Sequence, residues 1–388
     1  MELYIHIPFC IKKCKYCDFL SAPADETTQE RYFNALISQI KAFGEREQKR
    51  TEGPRTVTSV FIGGGTPSVW EADRIAAIMN TIKTSFKLEP DAEISIEANP
   101  GTLSPEKLAG YLACGINRLS LGLQSSDGVL LKVLGRIHTY EDFEKNYQAA
   151  RDAGFKNINV DIMSGLPGQS LATFEKTLDA VIALAPEHIS CYSLIVEEGT
   201  PFYEMNLDLP DEDTEREMYH LTKRKLEEAG YHRYEISNYA KEGYECRHNL
   251  GYWSDAEYIG IGLGAASLDD NVRYSIIPDL TEYLEIMESE DTPERKLYKL
   301  ITGAATRTEK DCMEEFCFLG LRKTAGISRR EFKAHFGRSI DIVYEDAVRK
   351  YLMLELLESD GDALRLSEKG IDVSNTVMAE FLLDEENF

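Results

Sequence analysis

The chain has 388 residues, enough for one barrel-sized domain and a smaller second unit, and its 43% hydrophobic and 28% charged fractions are ordinary for a globular protein. A formal net charge of −24 argues against a nucleic-acid or anionic-membrane surface, because both favour an excess of Lys and Arg. No apolar run approaches the roughly 18 to 20 residues of a membrane helix, and the first residues alternate like a strand rather than a secretory leader, so a cytoplasmic location is expected.

From residue 3 to about 196, short apolar strands alternate with amphipathic helices. Strands are predicted over LYIHIPF (3–9), VTSVFIGG (57–64), EISIEANP (93–100), NRLSLGLQ (117–124), NINVDIMSG (157–165) and HISCYSLIV (188–196). Helical spacing links Phe33, Leu36, Ile37 and Ile40, and again Phe174, Leu178, Val181 and Ile182 within 171–184. Six β/α repeats imply a parallel sheet with right-handed crossovers. A doubly wound sheet and an incomplete (β/α) barrel both satisfy this pattern, and both place functional residues at the carboxyl ends of strands.

Near Pro210 the pattern changes. An acid-started helix (PDEDTEREMYHLTKRKLEEAGY) is followed by YEISNYA and by a stretch around YIGIGLGAAS that reads as irregular. Beyond residue 300, helices are predicted over 313–323, 328–336 and 341–357, and LESDGDALRLSEKG reads as a hairpin or wing. The expected organisation is a core over 1–210, an extension over 211–299 and a small, mainly helical, winged-helix-like domain over 300–388. Acidic composition makes DNA binding improbable despite that shape.

Of eight cysteines, Cys10, Cys14 and Cys17 are clustered and the others scattered, which does not describe a disulfide framework and suits a reducing compartment. Three thiolates on a loop leaving the first strand can wrap a small cluster. A [4Fe–4S] cube held by three thiolates leaves one iron open for a chelating small molecule, whereas zinc normally takes a fourth ligand. By spacing alone, a zinc loop and three unrelated buried cysteines remain alternatives. The second strand ends in GGGTP (Gly63 to Pro67), where glycines let a ligand approach the main chain.

The CxxxCxxC spacing with Tyr16 before its last cysteine, followed by GGGTP, resembles the radical S-adenosylmethionine (SAM) superfamily. In order, YIHIPFC, GGGTPS, EANPGT, LSLGLQS, LGRIH, VDIMSGLPGQ and HNLGYW resemble its oxygen-independent coproporphyrinogen III oxidase-like branch, and within it the HemW family of heme chaperones. The resemblance implies an α/β fold, an incomplete (β/α)6 TIM-like barrel of the radical SAM type, with a HemN-type C-terminal helical domain. It implies a [4Fe–4S] cluster on Cys10, Cys14 and Cys17. It also implies SAM contacts from Tyr4, Tyr16, Gly64, Gly65, Thr66, Glu97, Gln124, Arg136 and Asp161. Arg136 suits the SAM carboxylate, Gln124 and Asp161 its ribose hydroxyls, and Glu97 its amine. Taken singly, each could equally be a strand-end anchor. HNLGYW implies heme near His248, an imidazole ligand flanked by the flat Tyr252 and Trp253, with Cys246 as a second candidate. His6 is expected to support the cluster end of the first strand, while His138, His188, His220, His232 and His335 stand in no constellation.

In the oxidases a fourth cysteine lies two residues after the third; here that position is Phe19. They also carry an extension ahead of the first strand, where this chain has Met1 and Glu2. Both departures favour a heme chaperone that passes heme to a hemoprotein, with the oxidase as the alternative. Relatives often have Gly-Ala-His where Gly264, Ala265 and Ala266 stand. The implied chemistry is reductive cleavage of SAM to methionine and a 5′-deoxyadenosyl radical, which calls for a flavodoxin- or ferredoxin-type electron donor. A peripheral membrane association of the acceptor is compatible with this reading.

Overall fold

A computed structural model describes residues 1–383; the last five residues of the expected C-terminal domain, 384–388, lie outside the described residues. Six parallel strands, β1 (Glu2–Ile7), β2 (Thr56–Gly64), β3 (Lys87–Ala98), β4 (Arg118–Gln124), β5 (Ile158–Ser164) and β6 (His188–Ser193), lie side by side in chain order. Consecutive order decides between the two sequence alternatives. A doubly wound sheet reverses its strand order at a switch point, and this one does not, so the sheet curls as an incomplete barrel with its crossover helices outside.

Alternation along the strands sets the two faces. Leu3, Ile5 and Ile7 of β1, Ile94 and Ile96 of β3, Leu119 and Leu121 of β4, and Val160 and Ile162 of β5 are buried in one apolar cluster with the helices. The intervening residues are mostly polar: Glu2 and His6, Ser59, Glu93 and Glu97, Ser120, Asn159 and Asp161. Parallel register stacks them into layers, with Glu2 beside Ser59, Ser59 beside Glu93, and Asp161 beside Ser190. A strand buried on both faces usually reads as continuously hydrophobic. This one alternates because the barrel interior is a polar chamber.

The sheet remains open at its edges. Beyond β6 lie the short antiparallel strands β7 (His232–Arg233) and β8 (Asn238–Ala240), in the order β6-β8-β7. On the other side, β9 (Tyr258–Ile261) pairs in parallel with β1 and is extended by β10 (Ala266–Asp269), β11 (Val272–Ile276) and β12 (Ile301–Thr306). The glycine-rich stretch expected to be irregular is therefore partly strand. The free edge of β1 supplies hydrogen bonds that a single-sequence pattern does not reveal.

Past β12, helices Glu309–Gly320, Arg329–Phe336, Ile340–Val343 and Glu345–Met353 pack with the sheet of β13 (Ile327–Ser328), β14 (Leu357–Ser359) and β15 (Ala363–Leu366) around their own core, which includes Met313, Phe332, Ile340, Leu364 and Phe381. The expected wing is the β14–β15 hairpin. The 341–357 helix is broken at Tyr344 and ends at Met353, and its last expected residue, Leu357, begins β14. This unit is tied to the first by a bidentate Arg273–Glu315 pair (2.8 and 2.7 Å), by Arg307 to Asp255 (2.5 Å), and by the Arg322 guanidinium 4.2 Å from the centre of the Trp253 ring.

Candidate functional site

The cysteines stand at the upper end of the chamber, where β1 stops at Ile7. The chain returns at Ala22, whose N–H donates to the Pro8 carbonyl (2.9 Å), while the Cys10 N–H donates to the Ala22 carbonyl (3.2 Å). Residues 10–21 are thus a loop with a pinned base. Its middle is held by the Lys15 N–H on the Leu134 carbonyl and by the Phe202 N–H on the Lys15 carbonyl, both 3.0 Å. Cys10, Cys14 and Cys17 are half-buried, free thiols. The Cys10 Sγ lies 3.5 Å from the Thr66 Oγ1, and the Arg136 Nη1 donates to the Cys14 Sγ at 3.7 Å. Among the described residues no three His, Cys, Asp or Glu side chains converge as a single ion would require.

Strand ends complete this mouth. Gly64 has φ +113°, and a Cβ there would lie 2.7 Å from the His6 ring, so glycine is what lets the second strand turn over His6. The Gly64 N–H donates to the Glu97 carboxylate (3.1 Å). Burial, with Asp161 nearby, pushes Glu97 up to about 8. Asp161, also raised by burial, accepts from the Ser120 hydroxyl (3.0 Å) and the Asn159 amide (2.7 Å). Gln124 takes φ +71° at a register shift between β4 and β5, strain of the kind that costs about 1–3 kcal/mol and clusters at functional positions. Arg136 donates to the Asn99 side-chain oxygen (2.6 Å) and to the Gly122 carbonyl, and its buried Nε has no partner. Thr66 accepts from the Asn99 amide (2.7 Å). Gly65 follows Gly64 against the Phe9 backbone.

Two tyrosines flank the mouth. Tyr16 packs on the small cluster of Leu130, Leu134, Met163, Leu166 and Phe202. Tyr4 points into the chamber, and its hydroxyl bonds the His6 Nδ1 (3.0 Å). Because the His6 Nε2 faces the Leu20 carbonyl (2.9 Å), which can only accept, the proton sits on Nε2 and Tyr4 donates to Nδ1. Burial lowers the His6 pKa, in keeping with a neutral ring. His6 therefore ties β1 to the end of the cysteine loop.

A small open cleft lies here, lined by Cys14, Thr66, Asn99, Arg136 and His138 among others. The donor set fits a cluster carrying a cationic amino-acid cofactor. Three free thiols share one loop, an orphaned guanidinium nitrogen can meet a carboxylate, and buried carboxyls can face a positive charge. Asn99 and His138 were not singled out in the sequence. Asn99 stands two residues after Glu97 and so shares its side of the strand, a signal that period-two reading could have found. His138, which burial and Arg136 depress to about 4, bonds the Leu123 carbonyl (3.3 Å); it closes the LGRIH motif, two residues after Arg136, which is the signal that could have marked it.

His248 lies at the opposite end. The helix Arg247–Trp253 forms the floor of the chamber, and Glu93 of β3 caps its start, accepting from the N–H groups of Arg247 (3.1 Å) and His248 (3.2 Å) and from the Cys246 thiol (3.4 Å). The His248 ring is buried, stacked on Phe61 with centroids 5.1 Å apart. Its Nδ1 bonds the Ser59 hydroxyl (2.8 Å) and its Nε2 the Tyr252 hydroxyl (3.1 Å). Both nitrogens are engaged. Glu2 lies 3.7 Å away, but burial raises its pKa to about 8 and depresses His248 to about 3, so near neutrality this contact joins two uncharged groups rather than an ion pair. Gly251 permits the fit, since a Cβ there would lie 1.8 Å from the Glu2 Oε1. Cys246 is fully buried, its thiol pushed up to about 12. The structure thus gathers the cysteines and the expected SAM residues around the mouth, and it sets His248 and Cys246 apart in the floor.

Comparison with known proteins agrees with this architecture. The radical SAM superfamily profile matches residues 4–181, and the HemN C-terminal domain profile matches residues 308–373. The heme chaperone HemW of Bacillus subtilis is 37% identical, with 98% of each chain covered; that of Lactococcus lactis is 34% identical, over 99% of this chain and 98% of its own. The Escherichia coli HemW is 40% identical over 68% of this chain and 69% of its own. Among solved structures, the E. coli coproporphyrinogen III oxidase HemN superposes with a TM-score of 0.84 at 22% identity, covering 98% of this chain and 89% of that one, a likeness of fold. By sequence along its whole length and by fold, the chain belongs to the HemW family within the radical SAM superfamily.

Proposed function

We propose that this protein is a radical SAM-type heme chaperone, binding a [4Fe–4S] cluster, SAM and heme and handing heme to a hemoprotein acceptor. The observation that carries the cofactor part is the mouth itself: three free thiols on a pinned loop, facing the glycine turn and Arg136. Cys10, Cys14 and Cys17 would hold the cluster. Arg136, positioned by Asn99, would take the SAM carboxylate, and Glu97 its amine; Gln124 and Asp161 would hold the ribose, with Tyr4, Tyr16, Gly64, Gly65 and Thr66 shaping the cradle. When bound, the cluster supplies the electron that SAM cleavage requires.

The heme part rests on family membership and on Phe19 in place of a fourth cysteine. In the folded state His248 has no free ring nitrogen, so ligation through it would require the floor helix to release Ser59 and Tyr252. Titrating heme into His248→Ala and wild type decides this: unchanged stoichiometry and spectrum removes His248 as the ligand. Cytoplasmic residence belongs to the same proposal; among the described residues no helix is long and apolar enough to cross a membrane.

The decisive experiment is anaerobic. Cluster-loaded protein is given SAM, a reductant and coproporphyrinogen III beside an authentic oxidase, and products are read by mass spectrometry. No protoporphyrinogen is expected while the control turns over, and catalytic formation would replace the chaperone reading with the oxidase.

A further inference from the structure

We propose that Asn159 is a positioning residue for Asp161, fixing both of its carboxylate oxygens for the ribose hydroxyls of SAM; this rests on the reading that Asp161 meets the ribose. Two residues apart on β5, Asn159 and Asp161 share the inner face of the sheet. The Asn159 side-chain nitrogen donates to the Asp161 Oδ1 and to the Ser120 Oγ, both at 2.7 Å. The Ser120 hydroxyl in turn gives its proton to the Asp161 Oδ2 (3.0 Å). A single amide therefore sets both oxygens of the carboxylate, one directly and one through a serine.

The amide is itself held from behind. Its oxygen accepts from the His188 Nδ1 (2.6 Å) and from the Ser190 hydroxyl (3.1 Å). Because that oxygen can only accept, the His188 proton sits on Nδ1, and Nε2 accepts from the Tyr234 hydroxyl (2.8 Å). Burial and the Arg118 charge keep this ring neutral. Turning the amide over would set its oxygen against the Asp161 carboxylate, so the observed orientation is the one that satisfies every partner. His188, which stands in no constellation in the sequence, finds one through the β5–β6 register that sets it beside Asn159.

Access separates Asp161 from the rest of this cluster. Ser120, Asn159, His188, Ser190 and Tyr234 are buried, and Asp161 alone among them is partly exposed. Asn159 and Ser120 each occupy one lone pair of an Asp161 oxygen and leave the others for a ligand. Two donors on a carboxylate also favour its charged form, against the burial that raises its pKa. A carboxylate held at both oxygens can take the two neighbouring hydroxyls of a ribose together, and it then discriminates against a sugar that lacks them.

The test is calorimetry on full-length protein loaded to equal iron content, titrated with SAM and with its 2′,3′-dideoxy analogue, and the ratio of the two affinities is read within each variant. Wild type is expected to bind SAM about tenfold or more tightly than the analogue. Asp161→Asn should collapse that ratio. Asn159→Leu, which keeps the volume and removes the donors, should collapse it nearly as far, with no further loss in the double variant. Ser120→Ala, a small change that frees only Oδ2, should narrow it part-way. A general packing defect would weaken SAM and the analogue alike and leave the ratio unchanged. A wild-type ratio in Asn159→Leu (or in Asn159→Ala, should the leucine variant fail to fold) beside a collapsed one in Asp161→Asn would overturn the proposal. A wild-type ratio in Asp161→Asn, or no preference in the wild type, would remove Asp161 from the ribose and this role of Asn159 with it.

Discussion

The two ends of the polar chamber are built from the same strands and differ in how open their polar groups are to a ligand. At the floor, Glu93 caps a helix, both nitrogens of His248 are bonded, and His188 is held between the Asn159 side-chain oxygen (2.6 Å) and the Tyr234 hydroxyl (2.8 Å). The C-terminal unit reaches the same end through Arg322 on Trp253 and Lys323 on the Ser254 hydroxyl (2.9 Å). At the mouth, three thiols are free, the Arg136 Nε has no partner and Gln124 is strained. The floor has unpaired buried atoms of its own, at the Glu2 Oε2, Trp253 Nε1 and Arg322 Nε, so the two ends differ less in pairing than in access: at the mouth, Cys14 and Arg136 line an open cleft, whereas His248 and Cys246 are sealed inside.

Breaking the mouth should abolish ligand binding while sparing the fold. Replacing any of Cys10, Cys14 or Cys17 by Ser is expected to remove the cluster, read as loss of bound iron and sulfide. The cofactor-free protein should keep its unfolding free energy in urea to within about 0.5 kcal/mol, because these side chains are partly exposed. Arg136→Gln should weaken SAM binding by an order of magnitude or more, the worth of a charge-assisted hydrogen bond of about 1.5–3 kcal/mol, as measured by calorimetry on the cluster-loaded protein.

Breaking the floor should do the reverse. Gly251→Ala forces a methyl into the Glu2 carboxyl and is expected to cost about 1–3 kcal/mol in a urea melt, with SAM affinity of the folded fraction unchanged. A matching loss of SAM affinity would mean that the two ends are coupled.

The last prediction concerns pH dependence, and its sign differs between groups. His248, near 3 in the fold and 6.5 unfolded, binds fewer protons when native, so its contribution to stability rises with pH between those values by up to about 1.4 kcal/mol per unit. Glu97, about 8 in the fold against 4.5 unfolded, retains its proton when native. Its contribution is present below 4.5 and is lost as pH rises toward 8. Urea melts across pH should show the first slope flattened in His248→Gln and the second in Glu97→Gln. The same curve from both variants would refute these buried titrations.

Much of the mouth was legible because it is local. The cysteines, the glycine turn and each strand end lie within short, ordered motifs, and a parallel barrel brings the carboxyl ends of its strands to one side. The helix 171–184 was read to the residue, since an amphipathic face and the Ser170 cap agree. HNLGYW reads in isolation as an imidazole ligand flanked by flat aromatic rings. Its location follows from Glu93, some 150 residues earlier, capping the helix, and from Gly251 lying against Glu2. No window of the sequence contains those pairings.

The sequence by itself determined the β/α alternation, the polar inner face, the cysteine loop and the family, because periodicity and spacing are properties of adjacent residues. Tertiary structure alone decided which end of the chamber each conspicuous residue occupies and the pairing of β9 with β1. Those outcomes depend on register and long-range contact, where a buried group finds its partner in a distant segment or is left without one.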